Sequence, residues 1–275
     1  MTRTGFSAAF IRPAIVVGLV VFASQVDAQS VTLAISPRVG DTLAIRMDQL
    51  VEMTGTKRGD TARSLAMETA VFTRAVPIRR VRNGTVVLGI ADSVVMFPRV
   101  KGGTPRTRNL GGRTTEMLIE PGGGVDILRT DPGQDDLNEF FGQMPAMFPD
   151  DPIFVRGKWT REMPVPLRGD VPGTGWVRTT FRFDSLSRSG DIAFISLKGL
   201  LSHERLKDET GERDADGTIA GSIQLNRRLG WIIDSKVTIV LESTVHSAAS
   251  RAKRNPADAM QVRTKIVQRV RATAK

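Results

Sequence analysis

The chain has 275 residues, 40% hydrophobic and 25% charged, with no cysteine. A chain of this length can bury a core large enough to fold without staples, and the lack of cysteine excludes disulfides, thiol nucleophiles and cysteine-ligated zinc. Its 39 basic and 29 acidic residues leave a formal charge of +10, which favours acidic partners such as lipid head groups, lipopolysaccharide, anionic glycans or nucleic acid, unless the bases simply decorate solvated faces.

Residues 1–28 place Arg3 and Arg12 ahead of an apolar run from Ala14 to Ala23 and end on Val26-Asp27-Ala28. That is the pattern of a secretory signal peptide cut after Ala28. The alternative, an uncleaved anchor, needs roughly twenty apolar residues to span a bilayer, and this run has ten. Cleavage would remove Arg3, Arg12 and Asp27, a net +1, and leave +9. The expected location is periplasmic or secreted, with no nucleic-acid partner and no transmembrane helix in the mature chain.

Downstream, apolar and polar residues alternate with the two-residue period of strands that bury one face. Leu43, Ile45, Met47, Val51 and Met53 share a face opposite Arg46, Asp48 and Glu52. Asn83-Gly84 marks a tight hairpin, as a pair that tolerates positive φ. The run from Val86 to Phe97 is apolar on both faces, which predicts a central strand. The stretch from Pro98 to Arg113 is rich in glycine and arginine and is expected to be a mobile loop, as is charged Lys207 to Asp216. Gly102-Gly103 and Gly111-Gly112 lie among Arg99, Lys101, Arg106, Arg108 and Arg113, with no acid between. Those five bases are candidate anion-binding residues, because arginine forks pair with phosphate and glycine lets backbone amides approach. A solvated loop is the alternative.

One segment changes period. From Asp135 to Met147, Leu137, Phe140, Phe141 and Met144 recur at helical spacing behind Asp135 and Asp136, which suit a helix start. Pro145 limits that helix to about two turns. Leu137, Phe140, Phe141, Met144 and Phe148 are the candidate apolar-ligand residues, the helix serving either as a lid over a cavity or as a permanent plug of the core. The proline-rich connector after Phe148 is the candidate seam between two halves, residues 29–148 and 149–275. A weak internal repeat supports two related halves: Val39-Gly40-Asp41-Thr42 and Arg156-Gly157-Lys158-Trp159 each open a strand run.

The second half ends in a long hairpin. Ile219, Ile223 and Leu225 alternate with Ser222, Gln224 and Asn226, and beyond a turn at Leu229-Gly230 come Trp231, Ile233, Val237, Ile239 and Leu241. In the last strand Arg263, Lys265, Arg269 and Arg271 oppose Met260, Val262, Ile266 and Val270. These four bases complete the anion-binding candidates, with charge protection of a terminal edge strand as the alternative. Trp159, Trp176 and Trp231 stand at strand starts just after glycines and are expected to anchor folding, the alternative being an exposed aromatic platform for glycans. The alternating runs sum to a mainly β fold: a large antiparallel meander sheet or half-barrel of about eleven strands with one short helix.

Catalytic signatures are weak. His203 and His246 fall on separate predicted strands, no Gly-x-Ser-x-Gly elbow occurs, and Gly221-Ser222 sits inside an amphipathic strand. The acidic groups Asp135-Asp136, Asp150-Asp151 and Asp214-Ala215-Asp216-Gly217 fit caps and turns better than paired catalytic carboxylates or a calcium loop. No enzyme activity, metal or cofactor is expected.

The segment Pro149-Asp150-Asp151-Pro152-Ile153-Phe154-Val155-Arg156-Gly157-Lys158-Trp159 resembles the opening of the second half in a secreted bacterial family known only as a domain of unknown function. Phe183-Asp184-Ser185-Leu186 with Gly190 to Ala193, and Gly221 to Leu225 followed by Gly230-Trp231, extend the likeness over most of the mature chain. The resemblance implies export and β architecture and carries no catalytic residue. In element order the plan also resembles the half-barrels of periplasmic lipoprotein carriers and of mycobacterial lipid-binding lipoproteins, where a curved sheet holds acyl chains beneath a helix. The expectation is an exported, non-catalytic envelope protein that binds an apolar or lipidic ligand on a curved sheet. The alternative is a cationic scaffold contacting anionic envelope lipid or polysaccharide.

Overall fold

A computed structural model describes residues 30–57, 61–98, 103–131, 146–166, 174–207, 211–247 and 259–275. Its strands are β1 (Leu43–Lys57), β2 (Arg63–Val81), β3 (Gly84–Pro98), β4 (Arg106–Ile119), β5 (Val125–Thr130), β6 (Lys158–Pro166), β7 (Thr174–Leu186), β8 (Ile192–Lys207), β9 (Gly211–Asn226), β10 (Trp231–Ser247) and β11 (Met260–Ala274). All eleven form one antiparallel sheet, ordered β5-β4-β3-β2-β1-β11-β10-β9-β8-β7-β6. The described residues contain no helix, and none long and apolar enough to cross a membrane. The expected helix falls mostly outside the described residues, as do Leu137, Phe140, Phe141 and Met144; Met147, which is described, is not helical.

The order follows from two meanders that meet in the middle of the sheet. Strands β1 to β5 step outward on one side, and β6 to β11 step inward on the other until β11 pairs with β1 from Leu43↔Ala274 to Lys57↔Met260. The last strand of the chain is therefore the sixth of eleven in the sheet, not the terminal edge expected from sequence. The doubly apolar run around Val86 to Phe97 is β3, which is paired on both sides but lies third from an edge rather than at the centre.

Edges β5 and β6 would stand roughly 48 Å apart if ten strand spacings were laid flat. They do not. Met147 N donates to Gly122 O in the β4–β5 turn at 2.7 Å, while Met147 O accepts from Trp159 Nε1 on β6 at 2.6 Å. One residue thus touches elements near both edges, so the sheet is rolled into an open barrel with one end closed. The segment before β1 crosses that end. Val31 and Ile153 exchange hydrogen bonds at 2.9 Å, Ile35 N donates to Pro121 O, Ser36 N to Gly230 O and Gly40 N to Pro77 O. Its inward residues Val31, Leu33 and Ile35 are buried in the same core as Ala75, Val87 and Ile119 from one wing and Phe181, Ile195 and Leu225 from the other. A single core serves both halves.

Several turn assignments shift once the register is known. Val81 pairs with Gly84, so Arg82 and Asn83 occupy the hairpin corner and neither has positive φ. Glycine is needed at position 84 because a Cβ there would overlap the Ile119 carbonyl of β4. Asp216-Gly217 is not a turn but lies within β9, where a Cβ on Gly217 would press on Val240 O and Leu241 of β10. Nor is Arg106 to Arg113 a loop: it belongs to β4, and Gly111 and Gly112, both at φ 69°, form an irregularity opposite the step from Ala91 to Ser93. Lys207 and Gly211 to Asp216 likewise extend β8 and β9. Glycine pairs within a strand read as loops in sequence because a bulge and a turn use the same residues.

Candidate functional site

Cross-strand partners in an antiparallel ladder share a face, and the registers divide the sheet into two chemically distinct surfaces. The outer face carries most of the charge around β1, β10 and β11. Lys265 reaches Glu52 at 3.1 Å, Arg269 reaches Asp234 at 3.0 Å, Arg271 reaches Asp48 at 2.6 Å and Arg263 lies 3.7 Å from Glu242. Each of the four bases expected to make this face strongly cationic therefore has an acid on a neighbouring strand. The sequence gives no sign of this, since those acids lie on β1 and β10. Partial burial opposes ionisation of Asp48, but hydrogen bonds from Arg46 and Arg271 outweigh it and hold its carboxyl below the usual carboxylate range. An outer depression of about 400 Å³ beside them is lined by Arg46, Phe72, Arg74, Asp92 and Arg271 among others. Its arginines are engaged too: Arg46 with Asp48 and over the Phe72 ring, and Arg74 with Asp92 through two nitrogens.

The inner face is the core side. At the closed end it is covered by the chain segment at Met147 and Phe148 and by the segment before β1. Phe148, named from sequence as a ligand residue, is fully buried there, and its carbonyl accepts from Arg161 at 2.7 Å. It is part of the hydrophobic core that it shares with Leu33, Phe181 and Leu225. Trp159 stacks on Phe181 with centroids 5.4 Å apart, and both Trp159 and Trp231 pack against that core. The Trp176 side chain is outside the described residues.

Toward the other end no described segment covers the inner face. Val51 pairs with Met67 and Met67 with Pro98, while Met53 pairs with Leu65. These side chains line a wholly apolar depression of about 160 Å³. Leu65 is 58% exposed, Met67 42%, Met260 41% and Met53 39%. The same strands bury Leu43, Ala75 and Ala272 at the closed end, so one alternating pattern supplies core at one end and an open apolar floor at the other.

The β4 bases border this floor. Met96 pairs with Arg106, Val94 with Arg108 and Ala91 with Arg113, which puts all three arginines on the inner face, beside the row that continues through Thr69 and Gln49. Beta-strand β5 pairs only with residues 115–119 of β4, so the Arg106 to Arg113 part of β4 is a free edge among the described residues. Arg113 has an electrostatic partner in Asp131, whose carboxyl is held down chiefly by hydrogen bonds from the Thr114 amide and hydroxyl. Arg106 and Arg108 make no ion pair among the described residues. Arg99 and Lys101 are outside them.

The remaining candidates are not brought together. His203 sits at an irregularity of β8 between Leu201 and Glu204, and His246 lies on β10 opposite Glu212. No group of three or more metal-ligating side chains occurs among the described residues. No family model matches the chain, and the search of curated proteins found no significant match.

Proposed function

We propose that this is an exported, non-catalytic envelope protein that holds an apolar or lipidic ligand on the inner face of its rolled sheet. The observation that carries the proposal is the apolar floor of Val51, Met53, Leu65, Met67 and Pro98, on the same sheet face as the core and left open by the described segments. Apolar surface is worth about 25 cal/mol per Å² when removed from water, and contiguous exposed apolar patches mark interaction surfaces. A curved sheet also presents such a floor as a concavity, the shape in which small apolar ligands are held. The scaffold alternative is less supported, because the outer bases of β11 are matched by acids and offer little unneutralised charge.

Titration of the purified full chain with Nile red, an uncharged apolar dye, tests this reading together with native mass spectrometry and solvent extraction. Binding that raises and blue-shifts the dye fluorescence, and that Met67→Glu weakens at least tenfold, is expected. No dye response and no co-purifying lipid would sink the proposal.

A further inference from the structure

We infer that the ligand of this face is a single-chain amphiphile with a carboxylate head, a long-chain fatty acid, whose head is held by Arg106 and Arg108; the inference rests on the apolar-ligand reading above. Arg106 lies directly opposite Met96, and Met96 is two residues from Pro98 on the same face of β3, so the first guanidinium stands one strand away from the apolar depression. Arg108 follows on the same face, roughly 7 Å along β4. The two bases lie on a stretch of β4 that β5 does not cover, both are exposed, and no acid among the described residues neutralises them. This contrasts with the outer face, where Arg46, Arg74, Arg269 and Arg271 each hold an aspartate.

Charge complementarity selects the occupant. An uncharged hydrocarbon would use the floor and leave the two guanidinium groups without a role. A carboxylate on the end of the chain can be gripped by arginine through paired, charge-assisted hydrogen bonds, which are about twice as strong as neutral ones. The depression, about 160 Å³, seats only part of a single acyl chain, the rest lying along the open floor, and has no room for a second chain, which favours a fatty acid over a diacyl lipid. The chain would lie over Pro98, Met67 and Val51 toward Met53 and Leu65, with its head at the β4 edge. The Gly111-Gly112 irregularity serves this arrangement: it absorbs three residues between Asn109 and Arg113, so that Arg108 and Arg113 both face inward across it.

The test compares laurate with dodecanol, the same chain without the charge, on the full chain and on the Arg106→Gln/Arg108→Gln double variant by isothermal titration calorimetry. The wild type is expected to bind laurate at least tenfold more tightly than dodecanol. The double variant should bring laurate to within about twofold of dodecanol and leave dodecanol unchanged, and raised salt should shrink the wild-type preference. Equal binding of the two ligands by the wild type, or laurate binding untouched in the variant, overturns the head-group assignment while leaving the apolar face standing. Failure of the wild type to bind either ligand overturns both readings at once. Both substitutions are at exposed positions that β5 does not pair with, and an unchanged circular dichroism spectrum and melting temperature confirm that the variant is folded.

Discussion

Three glycines separate the two reasons for using glycine in this fold, and alanine at each gives a different expected cost. Gly190, in the β7–β8 turn, has φ 76° with nothing within 4 Å of a Cβ, so Gly190→Ala carries only the left-handed backbone penalty, about 1–2 kcal/mol. Gly84 has no positive φ, but its Cβ would meet the backbone of Ile119, which cannot rotate away as a side chain can; that overpacking costs about 1–3 kcal/mol. Gly230 has both liabilities: φ is 63°, and a Cβ would collide with the Ser36 carbonyl, whose amide also donates to Gly230 O at 2.9 Å. Gly230→Ala should therefore cost about 2–5 kcal/mol, or roughly 4–20 °C in melting temperature for a chain of this size. Urea and thermal denaturation rank the three, and hydrogen exchange of residues 31–37 locates the damage. Only Gly230→Ala should accelerate exchange there, because only that side chain pries the crossing segment from the β9–β10 turn. If Gly190→Ala is as destabilising as Gly230→Ala, or if exchange in residues 31–37 is unchanged, closure of this end does not depend on the contact with Ser36.

Phe148→Ala removes a fully buried ring from the shared core and should lower stability by about 3–5 kcal/mol in urea titration, whereas a ligand-facing Phe148 would lose binding with little change in stability. Asp48 has a depressed carboxyl, so its contribution is present above the ordinary aspartate value near 4 and is lost as pH falls through the lower folded value. Asp48→Asn should accordingly reduce the urea midpoint at pH 7 and flatten its decline below about pH 4; an unaltered pH profile would refute the pairing with Arg46 and Arg271. Arg269→Gln, which breaks a partly exposed pair with Asp234, should cost less than about 1 kcal/mol and leave association with anionic vesicles unchanged, as read by co-sedimentation; lost association would restore the cationic-scaffold reading.

Much of this molecule was legible from local pattern. Strict alternation at Leu43 to Met53 and at Met260 to Val270 identifies strands and assigns their faces, because side chains alternate across a strand whatever its neighbours. The hairpin near Asn83 and the turn before Trp231 follow from short-range chemistry in the same way. The pattern around Gly111-Gly112 misled, since a bulged strand and a loop share their glycines.

What local pattern could not supply was which strands meet. Lys265 and Glu52 are 213 residues apart and Arg271 and Asp48 are 223 apart, so neither the central place of the last strand nor the neutralisation of its bases is written in any window of sequence. The same holds for the two ends of the inner face: Leu43 and Met53 belong to one apolar stripe, yet one is buried and the other 39% exposed. Alternation determines that a stripe is apolar; only the rolling of the sheet and the segments crossing its closed end decide how much of that stripe becomes core and how much remains open beside Arg106 and Arg108.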